Sequence, residues 1–262
     1  MKNIIKAEFH KLFHGISFYE YAILVLLLAF IQTLSEGRSY NNVDFYIIII
    51  RATEYMIVAI MFTGIFLVYK WNKERKNGYI KNIAGNVSGR HVLTIAKFVT
   101  GSVVMVINSF ITMLSFFVSY LVDCLIKGGR ITFDAPISDM LTQIAAFLIW
   151  IVAGIAIVSL LLMFHELIRS AAFGYVLAIQ FLPNLFEGII AQLVYLIFKW
   201  DKLAEYLIIE GMKMMDTGVE MLDEAGEVMV FPNSMLGVLV RLCIYTVVFT
   251  TISVFVSRKR DV

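Results

Sequence analysis

Charge is what this chain has least of. Asp, Glu, Lys and Arg make up 16% of its 262 residues, against about a quarter in an average soluble domain. Apolar side chains make up 60%. A soluble domain of this length has too little interior to hide so much apolar surface, so lipid is the solvent for most of the chain. Cysteine is nearly missing too: Cys124 and Cys243 offer neither a metal-ligand spacing nor a disulfide framework. Both fall on the outer side of the topology read below, where a disulfide is chemically open to them. As small apolar residues they need no such role.

The motifs of catalysis are missing as well. His165-Glu166-Leu167-Ile168-Arg169 begins like a zinc-protease helix, but Arg169 stands where the second His must be. There is no Gly-x-Ser-x-Gly elbow. The phosphate loop Gly-x-x-x-x-Gly-Lys-Ser/Thr is absent, so the chain is expected not to be an enzyme and not to hydrolyse ATP in the P-loop manner. A cleavable signal peptide is not expected either. The apolar run from Tyr21 to Ile31 follows a long charged start, and Ser35-Glu36-Gly37 is not a small-x-small cleavage site.

What is present is apolar length. A membrane helix needs roughly 20 mostly apolar residues, and six segments qualify: 16–34, 52–69, 98–122, 140–164, 170–190 and 236–256. The third and fourth contain no charged residue. The fifth is interrupted by Pro183, which breaks or kinks it, and by Glu187. The expected fold is all-α, a single polytopic membrane domain over 1–262.

Orientation follows from the basic residues. Fourteen of the 22 Lys and Arg lie in the N-terminus, the 70–97 region, Arg169 and the tail. The other side carries most of the acids, including Asp201, Glu205, Glu220, Asp223, Glu224 and Glu227. The positive-inside rule then puts both termini in the cytosol, as an even number of spans requires. Residues 1–15 are amphipathic, with Met1, Ile5, Phe9, Leu12 and Phe13 on one helical face and Lys2, Lys6, His10 and His14 elsewhere. They are expected to lie in the cytosolic interface. Residues 191–235 read as an outer element, re-entrant or surface-lying, with acidic amphipathic helices.

Polar groups inside spans are rare enough to single out. Asn108, Gln143 and Gln180 either line a translocation path or bond across helices, the commoner use. Glu187 and Arg241 either pair at an outer vestibule or snorkel separately to the interface.

Between the second and third spans the chain reads Glu74, Gly78-Tyr79-Ile80-Lys81-Asn82, Ser88-Gly89-Arg90 and Lys97. It ends Phe255-Val256-Ser257-Arg258-Lys259-Arg260-Asp261-Val262. This resembles type-2 ABC exporter permeases, small six-helix membrane subunits common in Gram-positive bacteria. Their second loop carries an acidic residue, Gly-Thr-Ile-Lys-Asn, then Ser-Arg and a further Lys. Their tail closes aromatic-basic-Arg-Asp-Ile. Here Tyr79 replaces Thr, Gly89 is inserted, and Val262 replaces Ile.

The resemblance implies a loop over 70–92 that docks separate ABC ATPase subunits through Glu74, Arg75, Gly78, Tyr79, Ile80, Lys81, Asn82 and Ile83. The charges would set register, the apolar residues would form a ridge, and Gly78 would permit close approach. This chain would bind no cofactor; ATP and Mg would be used by the partner ATPase. A second permease copy, in a homodimer or heterodimer, membrane lipid and an amphipathic peptide or lipid-like substrate are the other implied partners, with no nucleic acid. The place is the bacterial plasma membrane, and the narrower likeness is to peptide and lantibiotic immunity or export permeases. The rival reading is a non-transporting scaffold or sensor whose basic loop recruits another soluble protein.

Overall fold

The computed structural model describes residues 2–13, 16–35, 42–76, 90–168, 170–180, 192–194, 196–197, 199, 206–213, 215 and 233–259. In chain order the main elements are α1 (Lys2–Phe13), α2 (Ile16–Ser35), β1 (Asn42–Asp44), α3 (Phe45–Glu54), α4 (Met56–Lys76), α5 (Arg90–Lys127), β2 (Arg130–Thr132), α6 (Ile137–Ile168), α7 (Ala171–Gln180), α8 (Ile208–Lys213) and α9 (Met235–Lys259). The protein is mostly helical. Among the described residues four helices, α4, α5, α6 and α9, are long and apolar enough to cross a membrane.

The helix α6 is the hub. It packs against α9, α5, α3, α4 and α7, and most of its apolar stretch is buried. Its residues 140–164 carry no charge, so every face can meet another helix at no electrostatic cost. Small residues bring the axes close where lipid supplies no hydrophobic drive between helices. A Cβ at Gly101 of α5 would stand 2.9 Å from Val158 Cγ1 and 3.2 Å from Leu67 Cδ1. One at Gly64 of α4 would stand 2.9 Å from Leu161 Cδ1 and 3.2 Å from the Ala178 Cβ of α7. By contrast α9 buries only Val238, Leu242, Ser253 and Ser257, and turns Val240, Ile244, Val247 and Ile252 outward. A helix apolar on both faces and packed on one is the pattern a membrane protein shows.

The helices outrun the spans read from hydropathy. The expected 98–122 and 140–164 become α5, 38 residues long, and α6, 32 residues long. At 1.5 Å per residue α5 is about 57 Å long, while a hydrocarbon core is about 30 Å. Hydropathy marks where lipid would begin, whereas a helix ends where its backbone finds a cap. Thus α5 continues through Lys127 until Gly128, at φ 71, ends it in the left-handed conformation that favours glycine. The expected 52–69 becomes α4, preceded by a separate α3. Residues 70–76 complete α4 and 90–92 begin α5, so the segment between them is 77–89 rather than 70–92.

A second departure concerns the all-helical expectation. Strands β1 and β2 pair in parallel, Asn42 opposite Arg130, Val43 opposite Ile131 and Asp44 opposite Thr132. The Asp44 carboxylate consolidates this end of the bundle. It caps α3 by accepting from Tyr46 N at 2.9 Å, and its second oxygen accepts from Asp134 N at 2.9 Å and Ala135 N at 2.8 Å. Three amides that precede or open helices are satisfied by one side chain. We call this the ladder end, and the opposite end, where α4 stops and α5 starts, the loop end.

Candidate functional site

At the loop end the apolar pattern gives way to buried charge. Lys97, on the second turn of α5, is only 1% exposed. A lysine there must be paired or lose its proton. Its Nζ lies 3.2 Å from Glu74 Oε2 near the end of α4. The other Glu74 oxygen lies 3.8 Å from Lys11 Nζ on α1, which in turn donates to Glu8 Oε1 at 3.0 Å. Glu8, Lys11, Glu74 and Lys97 thus form a chain of alternating sign across three helices, with no net charge. The Lys97–Glu74 contact is coulombic in character, because Glu74 Oε2 accepts no well-aligned hydrogen bond.

Glu8 is buried, and its carboxyl is pushed above the usual range. Burial is the main cause and the nearby Glu74 adds to it, while Lys11 and Lys97 oppose the shift. Next to this chain, Arg75 Nη2 donates to the His165 carbonyl at 3.1 Å and sits 3.1 Å from His165 Nε2. A guanidinium only donates, so that ring nitrogen is the acceptor and His165 carries its proton on Nδ1. Trp71 covers the imidazole, ring centroids 5.4 Å apart. The last turn of α9 joins the same end, where Thr94 donates to Ser257 Oγ at 2.9 Å. Hence α1, α4, α5, α6 and α9 are tied together at the base of the 77–89 segment.

The residues singled out from sequence are placed as follows. Glu74 and Arg75 turn inward: Glu74 is 15% exposed at its side chain, and Arg75 is bonded to α6. The basic residues that face outward on this last turn are Lys73 and Lys76. Gly78, Tyr79, Ile80, Lys81, Asn82, Ile83 and Glu187 lie outside the described residues, as do Pro183, most of 191–235 and the final three residues. Gln180 ends α7, with its side chain outside the description.

Asn108, on α5, donates to Thr63 Oγ1 on α4 at 2.9 Å, and the Thr63 hydroxyl in turn donates to Ala59 O at 2.7 Å. Gln143, buried on α6, hydrogen-bonds the Tyr46 hydroxyl of α3. Arg241, on α9, donates to Asn233 Oδ1 at 2.7 Å and lies over the Tyr206 ring at 5.3 Å. Cys124 is buried and Cys243 exposed, both as free thiols.

Sequence reading missed Glu8 altogether and treated Lys97 only as a basic residue entering a span. The available signal was a lone acid in a basic amphipathic segment, matched by a lysine inside the first turns of a long apolar run. No family model, curated protein or solved structure matches the chain.

Proposed function

We propose that this chain is a permease subunit of an ATP-driven exporter of the type-2 ABC kind, moving an amphipathic peptide or lipid-like molecule across or out of the bilayer. The observation that supports it most is the construction of the loop end. A segment that receives a push from a soluble motor must stand on a rigid base, because a floppy one would dissipate the displacement. Residues 77–89 leave from α4 and return to α5 at the point where the ion chain joins those helices to each other and to α1. Lys73 and Lys76 face outward beside it, available to an acidic partner surface.

In this reading the spans number six. The 20 residues of α2 form the first, and α7 with the residues after it forms the fifth. The loop end is cytosolic, along with both termini. Separate ATPase subunits bind ATP and Mg and grip 77–89, and a second permease copy completes the pathway. Closure of the ATPases shifts the equilibrium between helix arrangements, and the network at the base conveys that shift. The acidic residues after Asp201 suit a cationic peptide at the outer face, which fits antimicrobial peptide resistance.

Orientation is tested in a Cys243→Ser background by membrane-impermeant maleimide labelling of whole cells. A Tyr79→Cys variant labels only after permeabilisation, and a variant at the ladder end, Phe133→Cys, labels in intact cells. Labelling of the Tyr79 site from outside would overturn the whole scheme. Docking is tested by nucleotide hydrolysis that copurifies with the chain, expected to fall about tenfold in Tyr79→Ala together with Ile80→Ala, roughly the loss of 1.4 kcal/mol of contact.

A further inference from the structure

We propose that the crevice between α2, α4 and α5 holds a short segment of one acyl chain of a zwitterionic phospholipid, with the headgroup at the Arg51–Glu54 pair. This rests on the bilayer placement of the bundle and not on the exporter reading. The crevice has a volume of about 130 Å³ and is lined by Val25 and Leu28 of α2, Tyr55 between α3 and α4, Val58 and Ala59 of α4, and Thr112 and Phe116 of α5. The Tyr55 and Phe116 rings stack with centroids 4.9 Å apart, making one wall aromatic. The Thr112 hydroxyl is committed to the Asn108 carbonyl at 2.9 Å, so it presents its methyl group rather than an unmet donor. A void of roughly 150 Å³ with walls of this kind stays dry and accepts hydrocarbon.

What fills it follows from where it opens. Helix α2 meets the bundle chiefly along α5 and buries Val25, while Leu24, Leu27, Leu28 and Ile31 stay exposed. The mouth therefore faces outward beside α2, where the bilayer supplies acyl chains and little else that is apolar. Towards the ladder end, one helical turn from Tyr55 and on the same face, stands Arg51, whose carbonyl accepts from Tyr55 N at 3.1 Å. Its guanidinium pairs with Glu54 at 2.6 Å, and the two side chains are 20% and 43% exposed. A cation and an anion side by side, about 5.4 Å along the helix from the crevice, complement the phosphate and ammonium of a zwitterionic headgroup whose tail begins one turn deeper. An anionic headgroup would satisfy Arg51 and repel Glu54.

The test uses the full chain reconstituted into vesicles containing a phosphatidylcholine with a diazirine in one acyl chain. Modified positions are mapped after irradiation. Modification of the crevice residues is expected to exceed that of Val247 and Ile252 on α9 at least fivefold. Val58, a half-buried lining residue, is the blocking position. Val58→Trp is expected to bring crevice labelling down to the α9 level with the thermal midpoint unchanged, and Leu28→Trp does the same from the other wall. Phosphatidylglycerol with the same labelled tail is expected to label at most a third as well, and Glu54→Gln to remove that preference.

Equal labelling of the crevice and α9, or labelling untouched by either tryptophan, would overturn the site. Equal labelling by the two lipids would overturn the headgroup assignment. Crosslinks between the α2 helices of two copies in place of lipid would reassign the crevice to a dimer contact. A chain that does not float with the vesicles would instead defeat the bilayer placement, which keeps the two failures distinct.

Discussion

The two ends of the bundle are fastened by different chemistry. At the ladder end one short carboxylate, Asp44, accepts three backbone amides, and a three-residue ladder aligns the strands that carry it. The groups are fixed to the main chain and have few alternatives. At the loop end the joints are long side chains, Lys11, Glu74, Arg75 and Lys97, each with several rotatable bonds. Ion pairs between such groups can exchange partners without unfolding a helix. The ladder end is held by main-chain geometry, the loop end by side-chain charge.

The sharpest way to break this comparison is Lys97→Met. Removing one member of a buried ion pair leaves its partner uncompensated, at a cost of about 3–5 kcal/mol. The denaturation midpoint in detergent should fall accordingly, and adding Glu74→Gln should recover part of the loss. A shift no larger than that of an exposed lysine variant would mean that charge does not hold the loop end.

Next in size is Asp44→Ala. It removes a helix cap and two further amide contacts, for about 2 kcal/mol. Hydrogen exchange should accelerate at Tyr46, Asp134 and Ala135 and leave the amides near Lys97 unchanged. Spread of the effect to the loop end would show the two ends to be one cooperative unit.

The smallest effect is a pH dependence. The folded carboxyl of Glu8 titrates above its unfolded value, chiefly through burial. The folded state therefore binds the proton more tightly. Glu8 favours docking of α1 below the unfolded value of 4.5, and that contribution is lost as pH rises through the higher folded value. Exchange of the α1 amides should quicken with rising pH beyond the intrinsic rate, and Glu8→Gln should abolish the excess. An excess that persists in the variant would assign it to another group.

Long apolar runs were legible because nothing competes with them. The segments 98–122 and 140–164 carry no charge, and a helix is the one local structure that satisfies their backbone in lipid. The stacked Phe9 and Phe13 of α1, centroids 5.9 Å apart, were likewise announced by their spacing. Helix ends were not legible: Glu74 read as a loop residue, Lys97 as a basic residue entering a span and His165-Glu166 as a broken zinc motif, yet neighbouring helices enclose them. The β ladder was hidden for another reason. Its two strands are three residues each and lie far apart in sequence, and their pairing depends on helices α3 and α5 bringing them side by side. The inward turn of Glu74 and Arg75 belongs to the same class, since their partners Lys11, Lys97 and His165 come from three other helices.

The ion chain also orders the birth of the protein. Glu8 and Glu74 both leave the ribosome before Lys97, the cation that completes their neutralisation, and Glu8 precedes it by about ninety residues. Until then Glu8 has Lys11, three positions on in the same helix, as its ion-pair partner. The charge network can therefore close only once α1, the end of α4 and the start of α5 are all in place.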